Sequence, residues 1–257
     1  MSGFRVVIPA RYASTRLPGK PLRVIADRPM ILHVCERARE SGAKQVIVAT
    51  DDSRIHDAVT AGGFDAMMTD PTHPSGTDRV VEVVGRLGWE DDTIVVNLQG
   101  DEPAMPAALL AQVAATLETH GQAVMATLGV ALEHAADLTD PNVVKLVNDR
   151  AGHALYFSRA AIPWYRDHFA SGVESLPDAH VVMRHIGLYA YRVGFLKIYA
   201  GLPPSPLERA ESLEQLRVLW NGYRIAVQVA SEAPGQGIDT PADLQRILDE
   251  TGCDDGC

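Results

Sequence analysis

Phe4-Arg-Val-Val-Ile-Pro-Ala-Arg-Tyr-Ala-Ser-Thr-Arg-Leu-Pro-Gly-Lys20 joins a short apolar run to a loop that carries positive charge. Residues 4–8 predict a buried central strand, because runs with valine and isoleucine suit strands that are covered on both faces. The loop that follows has three cations and two hydroxyls, namely Arg11, Arg16, Lys20, Ser14 and Thr15. Cations of this kind suit clustered phosphate charge, and small residues let the backbone approach a ligand closely.

The spacing of this loop matches neither of the two common glycine-rich phosphate motifs. The dinucleotide fingerprint and the Walker loop both need glycines that are missing here. We therefore interpret residues 8–20 as a triphosphate-binding loop of another kind.

Strands and helices alternate in the first half of the chain. Strands are predicted at 45–50, 64–68 and 93–98, and helices at 30–41, at 53–61 and from Thr77 onward. Such alternation indicates a parallel sheet with right-handed crossovers, and hence an α/β fold. The strand at 93–98 delivers Gln99-Gly-Asp-Glu-Pro103 at its carboxyl end, where open α/β sheets bind ligands.

From residue 123 on the pattern is mainly of strands. They are predicted at 123–130, 143–148, 154–158, 181–192 and 225–230, with a hairpin turn at 149–152. One helix is predicted from Ser205 to Trp220, and a last helix begins at Thr240 and ends near Glu250. With no internal repeat and no low-complexity linker, we expect one domain over 1–257.

Composition excludes several classes of protein. A formal net charge of -10 over 257 residues argues against a general nucleic-acid binder, because phosphate backbones select basic faces. No apolar stretch approaches the roughly 20 residues of a membrane span, and the N-terminus lacks the pattern of a signal peptide. Three cysteines, with Cys253 and Cys257 near the end, do not make a disulfide framework, so we expect a cytoplasmic protein.

Two aspartates are candidates for binding a metal. Asp101 follows the buried strand at 93–98, and Asp239 ends the segment Gly235-Gln-Gly-Ile-Asp239. Each could equally be an ordinary turn or helix-cap residue. Together they offer hard oxygen ligands, and Mg²⁺ typically takes one or two carboxylates plus substrate phosphates.

The remaining polar candidates are weaker when each is taken alone. Ser75, Gly76 and Arg79 fit either a plain helix start or a nucleoside contact. Ordinary surface roles are equally open for Arg159, His185, Tyr189, Glu214 and Gln215. No Ser-His-Asp arrangement, CxxC or HExxH pattern supports acyl transfer or zinc hydrolysis.

The chain as a whole resembles the 3-deoxy-manno-octulosonate (Kdo) cytidylyltransferase family to about Leu248. The matching segments include IPARYASTRLPGKPL, HPSGTDR, VNLQGDEP, ALYFSRAAIPW, RHIGLYAYR, PSPLERAESLEQLRVLW and GQGIDTPADL. The loop and the strand-end aspartate are shared with the wider nucleotidylyltransferase group, whereas YFSRAAIPW, RHIGLYAYR and LEQLRVLW are specific to the Kdo enzymes. The chain departs from the family at Pro74 and Asp78, where Gln and Glu are usual.

The resemblance implies an enzyme that converts CTP and Kdo to CMP-Kdo and pyrophosphate for lipopolysaccharide biosynthesis. It assigns the catalytic roles to Lys20, Asp101, Asp239 and Arg16. It assigns CTP binding to Ala10, Arg11, Ser14, Arg16, Lys20, Ser75, Gly76, Arg79 and Asp101. It assigns Kdo binding to Gln99, Arg159, His185, Tyr189, Glu214 and Gln215, with Arg159 on the carboxylate, and Mg²⁺ binding to Asp101 and Asp239.

For the fold, the resemblance implies a three-layer α/β/α sandwich of the nucleotide-diphospho-sugar transferase type with a small β-rich portion at about 159–201. That portion would form a sugar lid and a homodimer contact, with Trp164, Tyr165, Tyr191 and Tyr199 as exposed interface aromatics. Two alternatives stay open. The acceptor could be a related acid, either 8-amino-Kdo or one like sialate, or the chain could be a non-catalytic CTP sensor.

Overall fold

The computed structural model describes residues 3–13, 17–235, 237–238 and 240–251. Within them the strands are β1 (Arg5–Ala10), β2 (Val24–Ile25), β3 (Arg28–Pro29), β4 (Val46–Thr50), β5 (Asp65–Met68), β6 (Ile94–Asn97), β7 (Met125–Ala131), β8 (Lys145–Asn148), β9 (Ala154–Ser158), β10 (Met183–Arg192) and β11 (Ile225–Val229).

The helices of the same residues are α1 (Met30–Glu40), α2 (Ser53–Ala61), α3 (Gly76–Leu87), α4 (Ala107–Thr119), α5 (Ala135–Thr139), α6 (Val193–Tyr199), α7 (Pro206–Glu211), α8 (Gln215–Trp220) and α9 (Pro241–Thr251). A single 3₁₀ turn, Lys20–Leu22, precedes β2.

The central sheet has the strand order β11-β7-β10-β6-β1-β4-β5. The strands β6, β1, β4 and β5 are parallel to one another, and β11 is parallel to β7. Strand β10 is antiparallel to both of its neighbours, β6 and β7, so it is the one reversed strand on this path. The predicted mostly parallel sheet is confirmed.

Helices cover both faces of the sheet. Successive residues of β1 point to opposite sides, so Val6 and Ile8 pack in one core while Val7 packs in the other. The first core contains residues of α1, α2 and α4, and the second contains residues of α3, α6 and α8. This is the predicted three-layer arrangement.

Two helix predictions need correction. Ser75, not Thr77, caps α3, because its side chain accepts from the backbone N–H of Asp78. The single helix predicted from Ser205 to Trp220 is in fact two helices, α7 and α8. Ser212 has a positive φ of 53° between them, and a left-handed residue ends a helix.

The region 159–201 differs from the expected β-rich portion. Its one strand, β10, belongs to the central sheet, and residues 159–182 contain none. The small antiparallel part is made instead by β8, β9 and the start of β10. Of the aromatics predicted to be exposed, Trp164 is 58% exposed, but Tyr191 and Tyr199 are buried, because β10 and α6 pack them into the second core.

None of the described helices is both long and apolar enough to cross a membrane.

Candidate active site

Strands β1 and β6 run parallel side by side, with Val7 opposite Asn97, so their carboxyl ends open at the same edge of the sheet. A cavity of about 450 Å³ lies at this edge. Nine of the residues that line it are predicted site residues: Ala10, Arg11, Lys20, Ser75, Gly76, Arg79, Gln99, Asp101 and Glu214. Four separate segments of the chain therefore converge where open α/β sheets bind ligands.

Lys20 and Asp101, which both line this cavity, form a charge pair. The Lys20 Nζ lies 2.7 Å from Asp101 Oδ2, although the two residues are 81 positions apart. The Lys20 side chain is 10% exposed and that of Asp101 is 36% exposed. The carboxylate thus faces the cavity with a cation beside it, an arrangement suited to a phosphate chain and its counter-ion.

The turn before α3 approaches the β1 loop closely at Gly76. A Cβ added to Gly76 would lie 3.1 Å from Cγ of Pro9 and 3.4 Å from Oε1 of Gln99. Ser75 also donates from Oγ to Asp78 Oδ2 at 2.7 Å, which fixes the cap. Glycine therefore lets the turn at the start of α3 lie against the end of β1.

Arg79 lines the cavity but is held by the protein itself. It is 3% exposed, and its guanidinium donates to Asp51 Oδ2 at 2.5 Å and to Thr69 Oγ1 at 2.7 Å. This pairing fixes its position, so Arg79 can present a rigid edge to a nucleoside rather than act as a mobile phosphate ligand.

A second cavity of about 260 Å³ adjoins the first and shares Gly76, Gln99 and Glu214 with it. Most polar side chains in its wall come from β6, β10 and the α6–α8 region: Asn97, His185, Tyr189, Tyr191, Tyr199, Ser212, Glu214 and Gln215. Thr77 of α3 and Gln99 complete the polar wall. Four predicted acceptor-binding residues besides Gln99, namely His185, Tyr189, Glu214 and Gln215, are thus brought together here.

His185 is held as a neutral ring. The Thr127 hydroxyl donates towards the carbonyls of Ile186 and Leu188, so its oxygen accepts from His185 Nε2–H at 3.1 Å. The ring also packs edge-on against Phe157, 5.1 Å between centroids. Burial lowers the pKa of His185 to about 3, which leaves Nδ1 as a hydrogen-bond acceptor.

Glu214 lies at the junction of the two cavities. It accepts from Thr77 Oγ1 at 3.0 Å. Burial raises the pKa of Glu214, and the hydrogen bond from Thr77 opposes that shift. The group is therefore disposed towards its neutral form, in which it can also donate a hydrogen bond.

Arg159 does not line either cavity. Its Nε donates to the carbonyl of Glu211 at 2.7 Å, and its NH1 donates to the carbonyl of Pro141 at 2.8 Å. Buried Lys145 donates to the Arg159 carbonyl at 2.7 Å. The structure therefore gives Arg159 a role in joining β9 to α7, and its predicted contact with a carboxylate remains untested.

Three of the predicted site residues, Ser14, Arg16 and Asp239, lie outside the described residues, as do Cys253 and Cys257. The chain next to Asp239 is nevertheless close to the site, because the backbone N–H of Ile238 donates to the Asp101 carbonyl at 3.0 Å.

The residues at the larger cavity fit a divalent cation that arrives with a phosphate chain. No cluster of three or more His, Cys, Asp or Glu in the described part of the chain is arranged to hold a metal by itself. Among the described residues that line this cavity, Asp101 and Glu214 carry carboxylates, and Asp101 is the one that lies beside Lys20. Mg²⁺ commonly binds through one or two carboxylates and completes its shell with substrate phosphates and water, which matches this donor set.

Several residues of the smaller cavity were not singled out from the sequence as ligand-binding residues. Tyr191 and Tyr199 looked like interface aromatics, and Asn97 and Thr77 carried no signal beyond their place in a strand and a helix turn. Alternation along β10 places Tyr191 on the same face as Tyr189, and this pattern could have indicated that Tyr191 lines the cavity. Nothing in the sequence places the end of α6 against β10.

Comparisons with known proteins agree with this geometry. A cytidylyltransferase family model matches residues 5–225. A solved CMP:2-keto-3-deoxy-manno-octonic acid synthetase in complex with CTP is 42% identical, with a TM-score of 0.88, covering 98% of this chain and 99% of that chain.

Two more distant structures share the fold. A cytidylyltransferase from Leptospira borgpetersenii serovar Hardjo-bovis is 15% identical, with a TM-score of 0.58, and the match covers 95% of this chain and 84% of that one. A nucleotidyl transferase from Methanothermobacter thermautotroptrophicus is 16% identical, with a TM-score of 0.59, covering 96% and 97%. The family model and the 42% identical synthetase, with the two joined cavities at the strand ends, show that this chain belongs to the cytidylyltransferase family.

Proposed function

We propose that this chain is the cytidylyltransferase that activates Kdo with CTP, giving CMP-Kdo and pyrophosphate for lipopolysaccharide biosynthesis. The observation that carries the proposal is the 42% identity to a CMP:2-keto-3-deoxy-manno-octonic acid synthetase over 98% of the chain. The paired cavities support it, since a nucleotide and a sugar acid must be bound side by side for direct transfer.

The two cavities divide the substrates between them. The larger one has the cations Arg11, Lys20 and Arg79 and suits CTP. The smaller one has hydrogen-bonding side chains and no described lysine or arginine, and suits a polyhydroxylated acceptor. Gln99 and Glu214 line both cavities, so the reacting atoms would meet beside them.

The reaction is an in-line displacement at the α-phosphorus of CTP. The bond from the anomeric 2-hydroxyl oxygen to phosphorus forms, the bond from phosphorus to the β-phosphate oxygen breaks, and the hydroxyl proton passes to solvent. Negative charge grows on the departing pyrophosphate, and Lys20 and Arg11 are placed to stabilise it. The chain therefore contributes mainly positioning and charge compensation.

CTP-using nucleotidyltransferases typically need a divalent metal, and we propose Mg²⁺ as that metal here. Asp101 would hold it, together with Asp239. When bound, such an ion neutralises phosphate charge and lowers the pKa of a hydroxyl that it contacts. Lys20, 2.7 Å from Asp101, would orient the carboxylate beside the phosphates.

A panel of acceptors tests the proposed acceptor. Purified protein is given CTP and Mg²⁺ with Kdo, 8-amino-Kdo or a sialic acid, and pyrophosphate release is measured. We expect the highest kcat/KM with Kdo. A preference for either other acid would reassign the acceptor, and the absence of release with all three would favour a CTP sensor.

Four further points remain predictions. We predict that the protein is a homodimer in the cytoplasm. We also predict a single domain over 1–257 with a sugar-binding subregion at about 159–201. Finally, we predict a contact between Arg159 and the carboxylate of the acceptor. That contact would require the Arg159 side chain to leave the carbonyls of Glu211 and Pro141.

A further inference from the structure

The smaller cavity contains two buried polar atoms that have no hydrogen-bond partner among the described residues. They are the hydroxyl of Tyr199 and Nε2 of Gln215. The two residues are 2% and 4% exposed, and both line the cavity. Buried polar groups are nearly always hydrogen-bonded in native proteins, so an unpartnered pair in a cavity wall indicates a bound polar ligand.

The hydroxyl of Tyr199 is held in one place. The Tyr199 ring packs on Phe195, with 6.1 Å between ring centroids, and the Arg217 guanidinium carbon lies 4.6 Å from its centre. Arg217 is itself fixed by a two-pronged ion pair with Glu208, with bonds of 2.8 Å and 2.5 Å. A ring held on both sides leaves its hydroxyl little freedom to find a partner within the protein.

The chemistry of the cavity selects hydroxyl groups. Its described wall has no lysine and no arginine, so a carboxylate would have no cation there. Burial raises the pKa of both Tyr199 and Tyr189, so each keeps its proton and can donate it. Neutral donors and acceptors of this kind match the hydroxyls of a sugar chain.

The position of Tyr199 relative to the reaction centre selects one end of the acceptor. Tyr199 lines only the smaller cavity, whereas Lys20 and Asp101 line only the larger one. The anomeric end of the acid must reach the α-phosphorus at the junction of the two cavities. The opposite end then extends towards Tyr199.

We propose that Tyr199 determines acceptor specificity by hydrogen bonding through its hydroxyl to the terminal C7–C8 diol of the sugar acid. This inference rests on the proposed function and deepens it.

The test compares the unchanged protein with Tyr199→Phe and with Tyr223→Phe. Tyr223 is the matched control, because its ring also packs on Phe195, 5.0 Å between centroids, yet it lines neither cavity. We expect Tyr199→Phe to raise KM for Kdo roughly three- to tenfold, the usual range for one neutral hydrogen bond, with KM for CTP within about twofold. Tyr223→Phe should leave both values within about twofold.

Two further measurements separate ligand binding from folding. Without ligand, Tyr199→Phe should melt at the same temperature as the unchanged protein or higher, because it removes an unpartnered buried hydroxyl. With an acid shortened by the terminal C8 carbinol, the unchanged protein should show a raised KM, and Tyr199→Phe should show a smaller difference between the two acids.

The outcomes are distinct. If the unchanged protein releases no pyrophosphate from CTP and Kdo, the proposed function and the role of Tyr199 both fall. If it is active but Tyr199→Phe keeps KM for Kdo within twofold, or raises KM for CTP equally, only the role of Tyr199 falls.

Discussion

His185 and Glu214 line the same cavity, and burial moves each of them towards its neutral form. For the histidine this lowers the pKa, and for the carboxyl it raises the pKa. His185 therefore provides no fixed positive charge for a ligand. In the proposed site both would bind the sugar through hydrogen bonds, which depend on geometry and give specificity.

The folded-state pKa of His185 makes stability depend on pH. Because that pKa is about 3 against an ordinary value of about 6.5, the unfolded chain binds more protons between these values. Stability is therefore full above about pH 6.5 and falls as the pH drops towards 3, by up to about 1.4 kcal/mol per pH unit from this group. Between pH 7 and pH 5, the melting temperature of His185→Gln should fall less than that of the unchanged protein.

An exposed histidine provides the control for that experiment. Over the same pH range, the melting temperature of His134→Gln should fall as much as that of the unchanged protein, since His134 lies on the surface. Equal falls in melting temperature for His185→Gln and the unchanged protein would show that the His185 ring does not cause the loss of stability at low pH.

Asp101 carries the charge of the larger cavity. Asp101→Asn keeps the shape but removes the negative charge next to Lys20, so we expect kcat/KM to fall roughly a hundredfold at saturating Mg²⁺. Steady-state pyrophosphate release measures it. Asp91→Asn is the control, because Asp91 forms an exposed pair with Lys197 and should change activity little. Turnover near that of the unchanged protein would contradict the assigned role.

At the scale of elements, the segment α7–α8 forms part of the wall of the smaller cavity. Ser205 and Glu208 form a reciprocal cap at the start of α7, and Glu208 also binds Arg217 of α8. The break at Ser212 places Glu214 and Gln215 at the start of α8, facing the cavity. A continuous helix through this segment would aim those two side chains elsewhere.

The buried pair of Glu208 and Arg217 should therefore matter for stability. Arg217→Met leaves an uncompensated carboxylate, and we expect it to lower the free energy of unfolding by about 3–5 kcal/mol. Urea denaturation measures the loss. Arg37→Met breaks an exposed pair with Glu40 and should cost less than about 1 kcal/mol.

The double variant Glu208→Gln/Arg217→Met should recover part of the loss, because no buried charge then remains. A loss of less than about 1 kcal/mol for Arg217→Met alone would mean that the pair does not hold α7 to α8.

At the scale of the whole molecule, local patterns predicted most of the elements. Helix α2 was predicted with both ends as found, and the apolar runs of β1, β4 and β6 lie within two residues of their observed bounds. Periodicity suffices there, because each element depends on residues close in sequence. The carboxyl ends of β1 and β6 then place the loop after β1 and Asp101 at the same edge.

Long-range packing accounts for what could not be predicted. The contact between Lys20 and Asp101 spans 81 residues. The break at Ser212 depends on a left-handed residue that is not glycine, and the burial of Tyr199 depends on Arg217, which belongs to α8. No local pattern encodes these contacts. Arg159 shows the converse, since the family resemblance implied a ligand contact while its hydrogen bonds go to protein carbonyls.

The central claim is that the two joined cavities transfer CMP directly from CTP to the anomeric oxygen of Kdo. Phosphorus NMR of the protein with CTP, Kdo and Mg²⁺ tests it most directly. We predict a new phosphodiester signal from CMP linked to C2 of Kdo, growing in equal amount with pyrophosphate and depending on both substrates. Consumption of CTP without that phosphodiester signal, or no consumption at all, would contradict the account.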